Sequence, residues 1–394
     1  MFSDRVPSDL RQNRLAEALA ARQQRGEPIV DLTASNPTRA GLIYPTDLLA
    51  PLADPRGLVY APEPLGLAKA RQAVSADFAR RGLTVAADRI ALTASTSEAY
   101  SLLFKLLCGP GDEVLIPRPS YPLFDHLTRL DAVTAVSYDL EYHTRWSVDV
   151  GSVERAISER TRAILLVSPN NPTGQFVNIT ELDAMVRLAR PRDLAIISDE
   201  VFADYELESA DRTLSGQLLR RNDVVGFTLG GLSKSIALPQ AKLAWIAVSG
   251  PDDVVPGVGA RLELACDTYL SVSTPIQLAA AELLRRGAAV RHQVQDRVRD
   301  NYRTLHARAG DVSSCDVLRA DGGWYAVLRV PSIMAEEDLV LTLLTDDGVL
   351  VHPGYFFDFP HEAFLVLSLL PPPDRFAEGV SRILRRFDSM SDRP

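Results

Sequence analysis

The stretch Arg162-Ala163-Ile164-Leu165-Leu166-Val167-Ser168-Pro169-Asn170-Asn171-Pro172-Thr173-Gly174 decides the fold class. An unbroken apolar run from Ala163 to Val167 reads as a strand covered on both faces. The Pro, Asn and Gly residues that follow set a turn. A helical pattern occupies 180–189, and a second apolar run lies at 194–198. Strand, crossover helix and strand make a βαβ unit, and its strands pair in parallel.

Outward from this unit the same alternation continues. Strand-like runs lie at 89–93, 113–117, 132–138, 224–229 and 243–249, with helical patterns at 98–107 and 123–130. The pattern predicts an α/β fold with a mostly parallel sheet covered by helices, whose ligands bind beyond the carboxyl ends of the strands. A long helical stretch (258–309) follows, broken near 271–275. The chain then reads as α+β: strand 324–330, helix 336–346, strand 364–369, helix 374–387. A chain of 394 residues exceeds one ordinary core. The expected division is a large domain over 46–255 and a small domain formed by 1–45 and 256–394.

Composition narrows the function. Hydrophobic residues make up 46% and charged residues 24%, the balance of a globular protein. No apolar run is long enough to span a bilayer, and the polar segment 1–14 lacks the apolar core of a signal peptide. A net charge of -9 argues against nucleic acid as a partner. Cys108, Cys266 and Cys315 are widely spaced and the histidines form no ligand pair, so neither a disulfide framework nor a metal site is expected. A reducing cytoplasm is the default location. Only Lys69, Lys105, Lys234 and Lys242 are lysines, against 42 basic residues in all. Arginine cannot replace lysine where a neutral amine is required, so each lysine is a candidate for amine chemistry.

Four segments carry that chemistry. Ala94-Ser95-Thr96-Ser97-Glu98 follows a strand and opens a helix, offering free N–H groups, hydroxyls and a positive dipole end to a phosphate; the same residues also spell a capping box. Asn170 and Asn171 end a strand, where they either bond a ligand or merely set the turn. Ser198-Asp199-Glu200 places acids at another strand end, suited to a protonated heterocycle nitrogen or to a helix cap. Gly230-Gly231-Leu232-Ser233-Lys234 puts a lysine at a fourth strand end, where desolvation would free its amine. Lys69 and Lys105 lie within helical patterns and read as solvated.

Taken in this order, the segments resemble the fold-type I pyridoxal-phosphate (PLP) enzymes, and within them the class I/II aminotransferases, over nearly the whole chain. The resemblance implies a PLP-dependent aminotransferase acting on an amino acid or amino-acid-derived amine. It implies that Lys234 forms the Schiff base and shuttles the proton, that Asp199 keeps the ring nitrogen protonated, and that Asn171 bonds the phenolic oxygen. Ser95, Thr96 and Ser97 match the phosphate loop, and Tyr121 matches the residue stacked on the ring. Tyr60 resembles the tyrosine that reaches the neighbouring subunit's phosphate, which implies a homodimer. Substrate contacts are expected from Asn36 and Arg39, in the segment Ser35-Asn36-Pro37-Thr38-Arg39, and from Tyr355 in the segment 351–357.

The chain departs from the pattern at several positions. Phe202 stands where the family has a tyrosine that bonds the phenolic oxygen, which predicts a raised pKa for the lysine–cofactor imine. Lys242 replaces a phosphate-binding arginine, and Gly231 replaces a serine. Val366 occupies the position of the arginine that clamps the substrate carboxylate. Arg39, Arg118 and Arg261 are candidate replacements, and Arg375 lies nearby in sequence. The alternative reaction is that of a PLP-dependent lyase, decarboxylase or oxidative deaminase acting on an amino-acid conjugate.

Overall fold

The computed structural model describes residues 2–208, 216–312 and 314–391. The strands are β1 (Val30–Asp31), β2 (Ile90–Thr93), β3 (Glu113–Arg118), β4 (Thr134–Tyr142), β5 (Trp146–Val148), β6 (Thr161–Val167), β7 (Ala195–Asp199), β8 (Gly226–Gly231), β9 (Ala244–Ser249), β10 (Asp316–Leu318), β11 (Tyr325–Arg329), β12 (Val349–Leu350), β13 (His352–Pro353) and β14 (Phe364–Ser368). The helices are α1 (Arg14–Gln24), α2 (Ala68–Arg80), α3 (Thr96–Leu107), α4 (Phe124–Leu130), α5 (Val150–Ala156), α6 (Ile179–Ala189), α7 (Leu232–Ser235), α8 (Val255–Tyr269), α9 (Thr274–Ala309), α10 (Glu336–Thr345) and α11 (Pro373–Ser391).

The large sheet has the order β2-β9-β8-β7-β6-β3-β4-β5. Strands β8, β7, β6, β3 and β4 run parallel to one another. Strand β9 is antiparallel to both its neighbours, and β5 folds back on β4 as a hairpin. Residues alternate across the sheet, as the pleat requires. Ile164 and Leu166 pack with Leu182 and Met185 of α6 on one face, whereas Leu165 and Val167 pack with Leu103 of α3 and Leu262 of α8 on the other. All are buried, and each contributes about 1.5–3 kcal/mol relative to exposure.

The strand order reverses between β3 and β6: β4 follows on one side of β3, while β6, β7 and β8 proceed on the other. Such a switch opens a crevice at the carboxyl ends of the strands. The ends of β3, β6, β7 and β8 deliver Tyr121, Asn171, Asp199 and Lys234 to that edge.

A second, antiparallel sheet of order β10-β11-β14-β13 forms the smaller α+β unit. The N-terminal segment joins it, since β1 pairs in parallel with β12. Helix α9 has 36 residues and is about 54 Å long at 1.5 Å per residue. It packs on α2 beside the large sheet and on α11 beside the small one. No helix among the described residues is long and apolar enough to cross a membrane. No group of three metal-binding side chains occurs among them either.

The expected elements recur with shifted ends. The strand expected at 132–138 begins at Thr134, because Ala132 has φ 59° and sits in a turn. The helix expected from 258 begins at Val255, with Pro256 in its first turn, where the missing N–H costs nothing.

Candidate active site

Ser95 caps α3 in the usual way, its Oγ accepting the Glu98 N–H at 3.1 Å. The Glu98 carboxylate does not close the capping box on Ser95. It accepts instead from the Ala94 N–H at 2.6 Å and the Ser271 hydroxyl at 2.7 Å. The first-turn N–H groups of Thr96 and Ser97 have no intrahelical acceptor and stand at the positive dipole end. Ser95, Thr96 and Ser97 line a cavity of about 320 Å³, within the range of small-ligand sites. Lys242, in a left-handed conformation (φ 53°), lines the same cavity and has no ion pair among the described residues. Gly231 lines it too. A Cβ there would lie 2.9 Å from Ala244 Cβ, so the close pairing of β8 with β9 leaves no space for a serine.

The two asparagines divide their tasks. Asn170 Oδ1 accepts from the Thr173 N–H and hydroxyl and fixes the turn. Asn171 lines the cavity, and its buried Oδ1 has no partner among the described residues. Buried polar groups without partners are uncommon and mark a place for a ligand group.

Asp199 and Lys234 face the cavity from adjacent strand ends. Asp199 is buried. Its Oδ2 accepts from the Tyr100 hydroxyl at 2.7 Å and its Oδ1 from the Val201 N–H at 3.1 Å. Burial pushes its carboxyl pKa up, opposed by these hydrogen bonds and the nearby Lys234 charge. A carboxylate so placed is stabilised by a cation set against it. Burial lowers the Lys234 amine to about 8, with the Asp199 charge opposing. Its Nζ lies 4.9 Å from the Trp324 ring centroid and 5.6 Å from that of Phe202. These rings withhold solvent, and desolvation disfavours the ammonium. Tyr121 lines the cavity wall, held edge-on by Phe124 at 5.7 Å.

Helix N–H groups and a lysine cation, an amide, a buried carboxylate and a second lysine whose pKa burial lowers thus share one cavity. The family model "Aminotransferase class I and II" matches residues 29–383. The chain belongs to this family. It is 28% identical over 378 residues to an alanine aminotransferase of Mycobacterium bovis, covering 91% of this chain and 85% of that one. It is 25% identical over 391 residues to the glutamate–pyruvate aminotransferase AlaA of Escherichia coli, covering 97% and 96%. Its fold matches that of the alanine aminotransferase from Pyrococcus furiosus with a TM-score of 0.88 at 22% identity, covering 99% and 100% of the two chains. This aminotransferase is therefore a PLP-dependent transaminase.

Other residues singled out in the sequence lie outside this aminotransferase's cavity as one chain forms it. Tyr60 is 78% exposed, beside the exposed Leu58 and Val59, and shares a surface depression with Tyr269. Asn36 accepts from Thr38 and caps a short turn of helix; Arg39 ends that turn, exposed and without a side-chain partner among the described residues. Tyr355 packs edge-on against Phe356. Val366 is fully buried, paired across the sheet with Val327 and His352. Of the other arginines, Arg118 pairs with Asp139 at 2.6 Å, Arg261 bonds the Gly257 carbonyl, and Arg375 pairs with Glu378.

Sequence reading missed Tyr100, Trp324 and Tyr325, and in the segment 35–39 it singled out Asn36 and Arg39 where Ser35 is the residue that lines the cavity. Tyr100 lies four residues after Thr96 on α3, so the helical period puts both on one face; that signal was available. Trp324, by contrast, arrives from the second sheet, and Ser35, bonded to Tyr325, arrives from the N-terminal segment.

Proposed function

We propose that Lys234 is the amine to which PLP attaches, and that this aminotransferase moves an amino group from an amino-acid donor to a keto acid. The observation that carries the reading is the placement of the Lys234 amine and the Asp199 carboxylate at adjacent strand ends of one cavity. The residues fit the cofactor. Thr96 and Ser97 N–H groups, the Ser95–Ser97 hydroxyls and Lys242 would hold its phosphate. Asn171 would meet its phenolic oxygen, Asp199 its ring nitrogen and Tyr121 its face, with Phe202 on the side near Lys234. When bound, the cofactor supplies an electron-withdrawing ring that stabilises negative charge at the donor's α-carbon. With the cofactor bound, Lys234 Nζ would be the base that takes the donor's α-proton and later gives it back. Asp199 would stabilise a proton on the ring nitrogen, and Trp324 and Phe202, beside Nζ, would limit its hydration.

For the donor's carboxylate, Val366 offers no charge, while Arg118 and Arg261 are already engaged. We assign this contact to Arg39, which has no acid partner among the described residues and stands four residues from the cavity-lining Ser35. Asn36, next to Ser35 in the chain, and Tyr355 are assigned as further substrate contacts. The names of the relatives favour alanine and glutamate as donors, and favour transfer over lyase, decarboxylase or oxidative chemistry. The exposure of Leu58, Val59 and Tyr60 supports a homodimer in which Tyr60 serves the partner's phosphate. Three unpaired cysteines accord with a reducing cytoplasm. Helix α8 packs on α3 and on β2 and β9, so we place the domain boundary within α9 rather than at residue 256.

The test is borohydride reduction of the holoenzyme followed by peptide mapping. The label is expected on Lys234, and keto acid is expected on mixing alanine with an acceptor. A label elsewhere, or no keto product across a panel of donors, would refute the reading.

A further inference from the structure

Helix α7, which carries Lys234, has only four residues. The last carbonyls of any helix lack intrahelical donors. In a buried turn each must find a partner or cost about 1–3 kcal/mol. Here the Ala237 N–H reaches the Lys234 carbonyl at 3.2 Å, and three side chains from three distant segments supply further donors. The Tyr205 hydroxyl donates to the Lys234 carbonyl. Arg291 Nε donates to the Ser235 carbonyl at 2.7 Å. The Tyr44 hydroxyl donates to the carbonyl of Ala237 at 2.8 Å.

Arg291 differs from the other two in being charged and buried, with 7% of its side chain exposed. It lies on α9, one turn after Gly287. A Cβ at Gly287 would come within 2.7 Å of Ile236 Cβ, so this glycine lets α9 approach the lysine turn closely enough for Arg291 to reach it. The guanidinium is held in turn by two carboxylates. Nη2 lies 3.3 Å from Asp77 Oδ1, and Nε lies 3.5 Å from Asp204 Oδ2. Arg80 closes the ring, pairing with Asp77 at 2.9 Å and with Asp204 at 2.6 Å. Asp204 precedes Tyr205 and lies five residues after Asp199. The segment that carries the carboxylate and the turn that carries the amine are therefore tied together twice, by Tyr205 directly and by Asp204 through Arg291.

We propose that Arg291 is a positioning residue for the transamination: seated between Asp77 and Asp204, it fixes the Ser235 carbonyl and so sets the direction and depth of the Lys234 amine relative to Asp199. The inference rests on Lys234 being the cofactor-bearing lysine. A planar, permanently charged fork with donors in fixed directions suits this task, and a lysine's flexible point charge does not.

The experiment compares wild type with Arg291→Gln, Arg291→Lys and Lys234→Ala. The full-length chain is stripped of cofactor, incubated with PLP across pH 6–10 and trapped with borohydride, and the labelled peptides are mapped. In Arg291→Gln the labelling of Lys234 is expected to slow at least tenfold and its pH midpoint to move. In the reconstituted enzyme kcat should fall at least tenfold with KM within threefold, and Arg291→Lys should recover little of it. A folded Arg291→Gln protein with an unmoved midpoint and kcat within twofold of wild type overturns the proposal, whatever its melting temperature. If Arg291→Gln does not fold, Tyr205→Phe, which removes one hydroxyl from the same turn, is read by the same criteria. Labelling that persists in Lys234→Ala would instead overturn the assignment of Lys234 and is recognised separately.

Discussion

The buried amine of Lys234 makes stability depend on pH in a calculable way. In the unfolded chain this lysine has its ordinary pKa of 10.5, and in the folded protein burial lowers it to about 8. Below pH 8 both states carry the ammonium, and the folded state bears the full cost of burying it. Between 8 and 10.5 the unfolded chain binds more protons than the folded one, so stability rises with pH across that window. The shift of roughly 2.5 units corresponds to about 3 kcal/mol at 1.36 kcal/mol per unit. Between pH 7 and pH 10 a gain of about 2–3 kcal/mol is expected, less than the full shift because the unfolded chain is still partly protonated at pH 10. Other groups titrate over the same range, so the measurement is a difference. Urea denaturation of the cofactor-free protein is followed at each pH for wild type and for Lys234→Met, whose side chain is of similar length and never charges. The wild-type curve should climb relative to the variant's by that amount. Parallel curves would refute both the depressed pKa and the desolvation by Trp324 and Phe202 that causes it. The same titration governs chemistry: the rate at which Lys234 captures PLP should rise through pH 8 and then level off.

Further outcomes follow from the site. Tyr100→Phe removes one hydrogen bond from the buried Asp199 carboxylate; a bond to a charged group is worth about 1.5–3 kcal/mol, so PLP affinity should fall ten- to a hundredfold, as read by fluorescence titration. Phe202→Tyr restores a hydroxyl near Lys234 and should lower the pKa of the lysine–cofactor linkage by about one to two units, on the same scale for a charged hydrogen bond, as read by visible absorbance against pH. Val366→Arg places an unpaired charge where the native side chain is fully buried and should cost about 3–5 kcal/mol in urea denaturation. Lys242→Ala should weaken phosphate retention while Lys242→Arg preserves it, since neutralisation rather than fork geometry is what the native residue supplies. Dialysis followed by absorbance of the bound cofactor separates these two.

The large sheet was legible because its strands are buried on both faces and therefore nearly uninterrupted in apolar residues, as in 163–167 and 195–197. The hairpin of β4 and β5 was not. Its residues alternate between exposed and buried, and the extension of β4 beyond Tyr138 passes through Asp139 and Glu141, which an apolar-run reading rejects. Lys234, Asp199, Asn171 and the α3 N-terminus could be read because each sits at a strand end flanked by small or turn-forming residues. Trp324 and Tyr205 could not, and Ser35 was read only as part of the segment 35–39. They reach the site through pairing of the second sheet, through the N-terminal segment and through a loop, and none has a local pattern that distinguishes it from an ordinary core or surface residue.

What the sequence hides is chiefly the support behind the chemistry. Asp77, Asp204 and Arg291 are separated by more than a hundred residues at the extremes, and each in isolation reads as a solvated charge on a helix or loop. Folding brings them into a buried ring whose members satisfy one another. Removing any one leaves an uncompensated charge, a cost that can exceed the net worth of the pair it breaks. Such a ring is an inefficient way to gain stability, because desolvating Asp77, Asp204 and Arg291 offsets most of their attraction, while Arg80 stays partly exposed. It gains its purpose from where it stands, behind the turn that carries Lys234 and the segment that carries Asp199. A well-packed apolar cluster could fill that volume, but it could not donate to the Ser235 carbonyl.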